Sequence, residues 1–216
     1  MKNLFTILFL VALAVSFSFA GEKTILDGVL QIPQAGVTPE IDGVMDEVWF
    51  NVAAVPCLRV ENATKPIPDS LTTRAYDDFA VTFRTMWDAD NFYIFINVVD
   101  DTLFAERTDQ PWMNDNVELF FDGNNDKATS YDANDLQIHW NYGETVENHP
   151  ITPTSVGNWV WLETMSGYNF ELAIPNDQLV KDNVPLFPYE ADKTIGFEVS
   201  VGDEENVNSP QFNLHW

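Results

Sequence analysis

Cations are scarce in this chain. Ten Lys and Arg stand against 34 Asp and Glu in 216 residues, a formal net charge of −24. Such a surface repels phosphate backbones and anionic headgroups, which disfavours nucleic-acid binding and peripheral membrane attachment. The single cysteine, Cys57, has no partner for an internal disulfide, and between Pro56 and Leu58 it reads as a small buried hydrophobe. His139, His149 and His215 are scattered, and the chain has no His-Glu-x-x-His, Gly-x-Ser-x-Gly or Cys-His arrangement, so a zinc site and the common hydrolase nucleophiles lack their motifs. No apolar run after residue 20 is long enough to cross a bilayer. There is no βαβ spacing, internal repeat or flexible linker.

Apolar and aromatic residues are plentiful. At 45% hydrophobic and 13% aromatic, the chain can build a core despite its charge, and its length fits one domain. Residues 1–20 read as a secretory signal peptide: Lys2, an apolar stretch from Leu4 to Val15, then Ser18-Phe19-Ala20, with cleavage after Ala20. A signal anchor is the competing reading, disfavoured by the short run and the lack of a basic stop-transfer flank. The expected product is a secreted or periplasmic domain over residues 21–216.

From Val81 onward, aromatic and β-branched runs alternate with Asp, Asn, Gly and Pro clusters. The runs predict strands over Val81-Trp87, Phe92-Val99, Val117-Phe121, Leu136-Tyr142, Trp159-Thr164, Tyr168-Ile174, Ile195-Val201 and Phe212-Trp216. Short helical turns are expected near Asp46–Val52 and Asn176–Val180. The fold class is all-β, an antiparallel β-sandwich of jelly-roll type.

Strand faces carry the functional signal, because successive side chains point to opposite sides. Leu136, Ile138, Trp140 and Tyr142 form an apolar face, with Gln137, His139 and Asn141 on the other. Val117, Leu119 and Phe121 oppose Asn116 and Glu118. Phe212, Leu214 and Trp216 oppose Gln211, Asn213 and His215, and Glu198 and Ser200 oppose Ile195, Phe197, Val199 and Val201. Neighbouring strands of this pattern would tile one face with amides, imidazoles and a carboxylate, which supply the paired donors and acceptors that sugar hydroxyls need. Pyranose C–H faces stack on indole, and Trp112, in a turn-like segment before Val117, is the candidate platform. A solvated polar face with Trp112 covering a sandwich edge is the competing reading.

Five ordered segments resemble family 9 carbohydrate-binding modules. They are Ile41-Asp42-Gly43-Val44-Met45-Asp46-Glu47-Val48-Trp49, Trp87–Tyr93 with Asp100-Asp101, Pro111–Asp122, Tyr168–Pro175 and Ile195–Asp203. The likeness runs from about Thr38 to Trp216. It implies a non-catalytic sandwich that binds plant-type polysaccharides such as xylan or cellulose, or their oligosaccharides and sugar ends, beside a glycoside hydrolase. By position, Trp112 matches the first stacking Trp, Glu118 the hydroxyl-binding carboxylate, and Gln137 and Asn141 polar groups on the adjacent strand. His139 stands where the family has Arg, a bidentate donor. The family's second stacking Trp has no counterpart before Trp216, so the clamp reads as half built, either lacking a paired site or cut short of its last strand.

The resemblance also implies that Asp-rich loops can hold structural calcium, with Asp100, Asp122 and Asp126 as the expected ligands and Asp101, Asp132 and Asp135 nearby; no cofactor is required for binding. Asp122–Asp126 begins like an EF-hand, but Lys127 and Ala133 break that pattern, and a solvated acidic turn is the competing reading. Asp115 and Glu118 are the obvious pair for glycoside hydrolysis, yet nothing in the sequence marks a pocket to raise either pKa. Two alternatives stay open: an extracellular haem or electron-transfer sandwich using Met86, Met113 or His139, and a structural surface module.

Overall fold

The computed structural model describes residues 25–26, 29–61, 79–143, 157–181, 184–206 and 212–216. The signal-peptide expectation and His149 lie outside them. Each of the eight sequence-predicted strands is present. In chain order the described strands are β1 (Ile25–Leu26), β2 (Val29–Leu30), β3 (Val55–Pro56), β4 (Arg59–Glu61), β5 (Ala80–Trp87), β6 (Asn91–Val99) and β7 (Asn116–Asp122). Then follow β8 (Asp135–Asn141), β9 (Asn158–Thr164), β10 (Gly167–Pro175), β11 (Val180–Lys181), β12 (Val184–Pro185), β13 (Gly196–Asp203) and β14 (Phe212–His215).

Two five-stranded antiparallel sheets make the sandwich. Sheet I has the order β3-β5-β6-β10-β9 and sheet II the order β4-β14-β13-β7-β8. Their facing sides interdigitate. Phe83, Phe92, Ile94, Ile96, Phe170 and Leu172 from sheet I meet Val117, Leu119, Phe121, Ile138, Trp140 and Val201 from sheet II, all buried. Edge-to-face and tilted ring pairs join the layers, including Phe92 with Phe121 at 5.8 Å and Trp140 with Phe170 at 5.5 Å. Cys57 is buried in this core, as expected. Burial first, and then the charge of Glu198, push its thiol up to about 12.

The outward side of sheet I is covered by the chain itself. Tyr93, Phe95 and Ala173 turn away from the core and join Trp49 and Met86 in a second apolar cluster, packed against Ile41, Met45, Val48 and Val52. A buried carboxylate pins this wrap. Glu171 on β10 accepts the indole N–H of Trp49 at 2.8 Å on Oε1, and the backbone N–H groups of Asp42 and Gly43 at 3.1 and 2.8 Å on Oε2. Burial raises its pKa while those three donors oppose the rise. Gly43 is required here: its φ is +80°, and a Cβ would lie 2.6 Å from Leu162 Cβ. The Ile41–Trp49 segment is therefore a docking device for sheet I.

The two expected helical turns differ from one another. Glu47–Asn51 forms a single 3-10 turn. Asn176–Val180 makes hydrogen-bonded turns closed by Gln178 N–H and Leu179 N–H on Pro175 O, then enters β11.

Candidate functional site

Sheet II turns its polar residues outward. In register, Ser200 on β13 lies opposite both His215 on β14 and Glu118 on β7, and Glu118 lies opposite His139 on β8. Asn116 lies opposite Asn141, and Phe120 lies between Gln137 and Glu198. The sequence-predicted residues Glu118, Gln137, His139 and Asn141 are thus brought together as one strip.

They are also hydrogen-bonded to one another. Glu118 Oε1 sits 2.7 Å from His139 Nδ1, and its Oε2 accepts from Gln137 Nε2 at 3.2 Å. An ionised carboxylate is acceptor-only, so His139 Nδ1 carries the proton it shares. His139 Nε2 reaches Asn141 Oδ1 at 2.7 Å. His139 and Asn141 are 3% and 2% exposed, whereas Glu118 and Gln137 are partly open to solvent. The tiled face is therefore unevenly exposed. His139 and Asn141 lie beneath, bonded to each other and to Glu118, and Glu118 and Gln137 offer the accessible atoms.

A second ionic group lies alongside. Glu198 Oε1 receives both Arg59 Nη2 and His215 Nδ1 at 2.6 Å. Burial pushes the Glu198 pKa upward, but the His215 bond and the Arg59 charge outweigh it and hold the carboxyl below its usual range. Asn213 Nδ2 donates to Ser200 Oγ at 3.2 Å.

Trp112 stands at the start of β7, in the 3-10 turn Pro111–Met113, and is 52% exposed. Asn116, fully enclosed, donates through Nδ2 to Trp112 O at 3.2 Å and to Asn114 O at 2.8 Å. Asn114 in turn exchanges bonds with the Arg107 backbone at 2.8 and 3.1 Å. An exposed indole on a pinned turn is an apolar platform fixed beside the strip.

The structure separates the expected calcium ligands. Asp100, after β6, joins Asp115 and Asp203: all three are buried, and one carboxylate oxygen from each lies within 4.8 Å of the others. Asp115 also accepts Phe104 N–H at 2.7 Å and Glu204 N–H at 2.9 Å. Burial is the main reason its carboxyl is pushed up to about 8; the two amides oppose the shift, while the charges of Asp100 and Glu205 add to it. The sequence offered no sign of such burial. Asp122 and Asp126 are instead at the far end of β7, roughly 20 Å of strand away. There they cap their own loop, Asp122 accepting Asp126 and Lys127 N–H groups and Asp126 accepting Ala128 N–H. Three enclosed carboxylates are hard oxygen donors suited to calcium, and the Asp100, Asp115 and Asp203 cluster fits that ion better than the self-capped loop does.

The haem reading finds less geometry. Met86 is on the outward side of sheet I and His139 on the outward side of sheet II, so the two cannot share one iron.

A family model, carbohydrate family 9 binding domain-like, matches residues 41–216. An endo-1,4-beta-xylanase A of Thermoanaerobacterium saccharolyticum is 30% identical over 175 residues, covering 78% of this chain and 13% of that protein. The exoglucanase XynX of Acetivibrio thermocellus is 30% identical over 179 residues, covering 78% of this chain and 14% of its own length. This chain therefore spans only about one-seventh of those relatives. Among solved structures, a family 9 carbohydrate binding module from Caldicellulosiruptor kristjanssonii in complex with cellotriose has a TM-score of 0.63 at 22% identity, covering 85% of this chain and 82% of that one. The same module with glucose gives 0.63, 85% and 83%. With sandwich, wrap and polar strip all in place, the chain belongs to the carbohydrate family 9 binding domain-like family.

Proposed function

We propose that this protein is a non-catalytic module that binds plant-type glycans through the outward side of sheet II. The observation that carries the reading is the hydrogen-bonded set of Gln137, Glu118, His139 and Asn141 beside the exposed Trp112. Trp112 stacks on a pyranose C–H face, and Glu118 and Gln137 take the hydroxyls. The buried His139 and Asn141 hold the Glu118 carboxylate ready, so little ordering is needed on binding. The sugars in the neighbouring module's complexes support glucose-type ligands, and the xylanase and exoglucanase relatives support xylan or cellulose and work beside a glycoside hydrolase.

Hydrolysis by this chain is not part of the reading. Asp115 is closed off from solvent with both oxygens held by backbone amides, while Glu118 faces outward, so the pair does not flank a substrate. Export by residues 1–20 would deliver the module to extracellular or periplasmic glycans. Calcium at Asp100, Asp115 and Asp203 would neutralise the carboxylates and tie the segment bearing Trp112 to the end of β13.

Isothermal titration with glucose, xylose, cellobiose and xylobiose tests the function. Saturable heat that Trp112→Ala removes is the expected result. No heat from folded protein with any of the four sugars would reject it.

A further inference from the structure

Trp112 rides on a loop with two rungs. Residues 100–115 connect β6 in sheet I to β7 in sheet II. Phe104 and Asp115 form the neck of the loop: Asp115 N–H donates to Phe104 O at 3.0 Å, and Phe104 N–H to Asp115 Oδ2 at 2.7 Å. Higher up, the Asn114 side chain makes the second rung, accepting Arg107 N–H at 2.8 Å and donating to Arg107 O at 3.1 Å. Met113 N–H closes the tip on Gln110 O at 2.9 Å, beside the exposed Trp112. Asn116, which donates to Trp112 O, belongs to the root of the same loop in β7. These bonds fix the shape of the loop more than its tilt against sheet II.

The tilt is set from β13. Glu204, the first residue after that strand, donates its backbone N–H to Asp115 Oδ1 at the neck, at 2.9 Å. Its carboxylate reaches the second rung, where Oε1 lies 3.1 Å from Arg107 Nη2. The two side chains are 11% and 0% exposed, Arg107 and Glu204 respectively. Charges taken so far out of water repay their desolvation only in part, and apolar residues of the same volume often hold a fold equally well. What such a pair adds is discrimination: any loop orientation that parts the two leaves an enclosed carboxylate short of its counter-charge.

We propose that Arg107 and Glu204 are positioning residues for the sugar platform: the pair braces the Trp112 loop against the end of β13 and so fixes the angle at which the indole meets a pyranose ring. Neither residue touches the sugar. Arg107 acts through Asn114, which grips its backbone and stands two residues from Trp112. A stacking ring gains from being held in advance, because a ring that is ordered only on binding loses that ordering free energy from the affinity. The proposal rests on the glycan reading above and adds to it a determinant that lies inside the molecule.

Arg107→Met combined with Glu204→Gln removes both charges at nearly constant volume, and Arg107→Lys serves as the conservative variant. Each is titrated as the full chain with glucose and with cellobiose. The same proteins carrying fluorinated tryptophan report Trp112 as the fluorine resonance that Trp112→Phe lacks. Wild type is expected to give one sharp Trp112 line. The double variant should fold, broaden or split that line while leaving the other tryptophan lines in place, and bind both sugars about three- to tenfold more weakly, the worth of ordering one side chain. Arg107→Lys, which keeps the charge without the planar fork, should fall between the two. Wild-type affinity or an unchanged Trp112 line in the double variant would overturn the brace, and with Trp112→Ala still abolishing binding the glycan reading would stand. A wild type silent to both sugars would reject the two ideas together. Should the double variant fail to fold by circular dichroism, Arg107→Lys decides alone: its Trp112 line must broaden, and a line identical to wild type overturns the proposal.

Discussion

Glu118 and His139 face each other across the β7–β8 ladder with 2.7 Å between Oε1 and Nδ1, and only the carboxylate reaches solvent. The imidazole is enclosed and committed to that bond, so under the proposed function Glu118 is the group that meets the sugar. Glu118→Gln keeps the shape and removes the charge that strengthens hydroxyl bonds. Its affinity for cellobiose should fall about tenfold to a hundredfold by titration, with the thermal midpoint within a few degrees of wild type.

His139→Ala should behave differently. It strips a buried partner from both Glu118 and Asn141, at a cost of about 1–3 kcal/mol in urea unfolding. Affinity should drop through loss of orientation, and a His139→Gln variant, which can still donate to the carboxylate, should recover part of it.

Without a bound cation, the Asp100, Asp115 and Asp203 carboxylates face one another's repulsion. In chelator, the folded-state pKa of Asp115 is about 8 against 3.8 for an ordinary aspartate. The native state then holds more protons than the unfolded state between those values, so stability is greatest below about pH 4, falls as pH rises and levels off above about 8. The total effect is on the order of several kcal/mol. Calcium should reverse the trend by favouring the ionised form, so the midpoint gain on adding calcium should be larger at pH 8 than at pH 5 in a differential scan. An equal gain at both values would count against the cluster as the metal site.

Glu171→Ala should be among the most damaging substitutions of a polar residue. It leaves the Trp49 indole and the Asp42 and Gly43 amides without their acceptor beneath the wrap. A loss of about 3 kcal/mol or more is expected in equilibrium unfolding, with the outward side of sheet II little affected in the variant that remains folded.

Cys57 gives a simple probe of folding. Its enclosed thiol, raised to about 12, should resist a thiol-reactive dye at pH 8 and react at once when urea unfolds the chain. Labelling of native protein at the unfolded rate would contradict the core described above.

Alternation made much of this molecule legible from sequence. Leu136–Tyr142 announced both its core side and its polar side, and neighbouring strands of the same parity did assemble into one sheet. Phe120 was hidden because Leu119-Phe120-Phe121 reads as one apolar run, although its parity puts it with Glu118. Tyr131 stood alone in a polar loop, and only the fold brings it over Gln137. Asp100, Asp115 and Asp203 come from three separate strand ends, a convergence that no local spacing encodes. Glu171 looked like an ordinary strand carboxylate because its partners lie more than 120 residues earlier.

The wrap over sheet I gives the molecule two unequal sides. One broad surface is upholstered by residues 41–52, and the other presents the Glu118 strip. If the proposed glycan side is the Glu118 strip, a polymer is gripped only from below, and a bound module has a defined up and down. Cargo attached to the wrapped side would ride above the polymer by at least the spacing of two packed sheets, about 10 Å, and always with the same tilt.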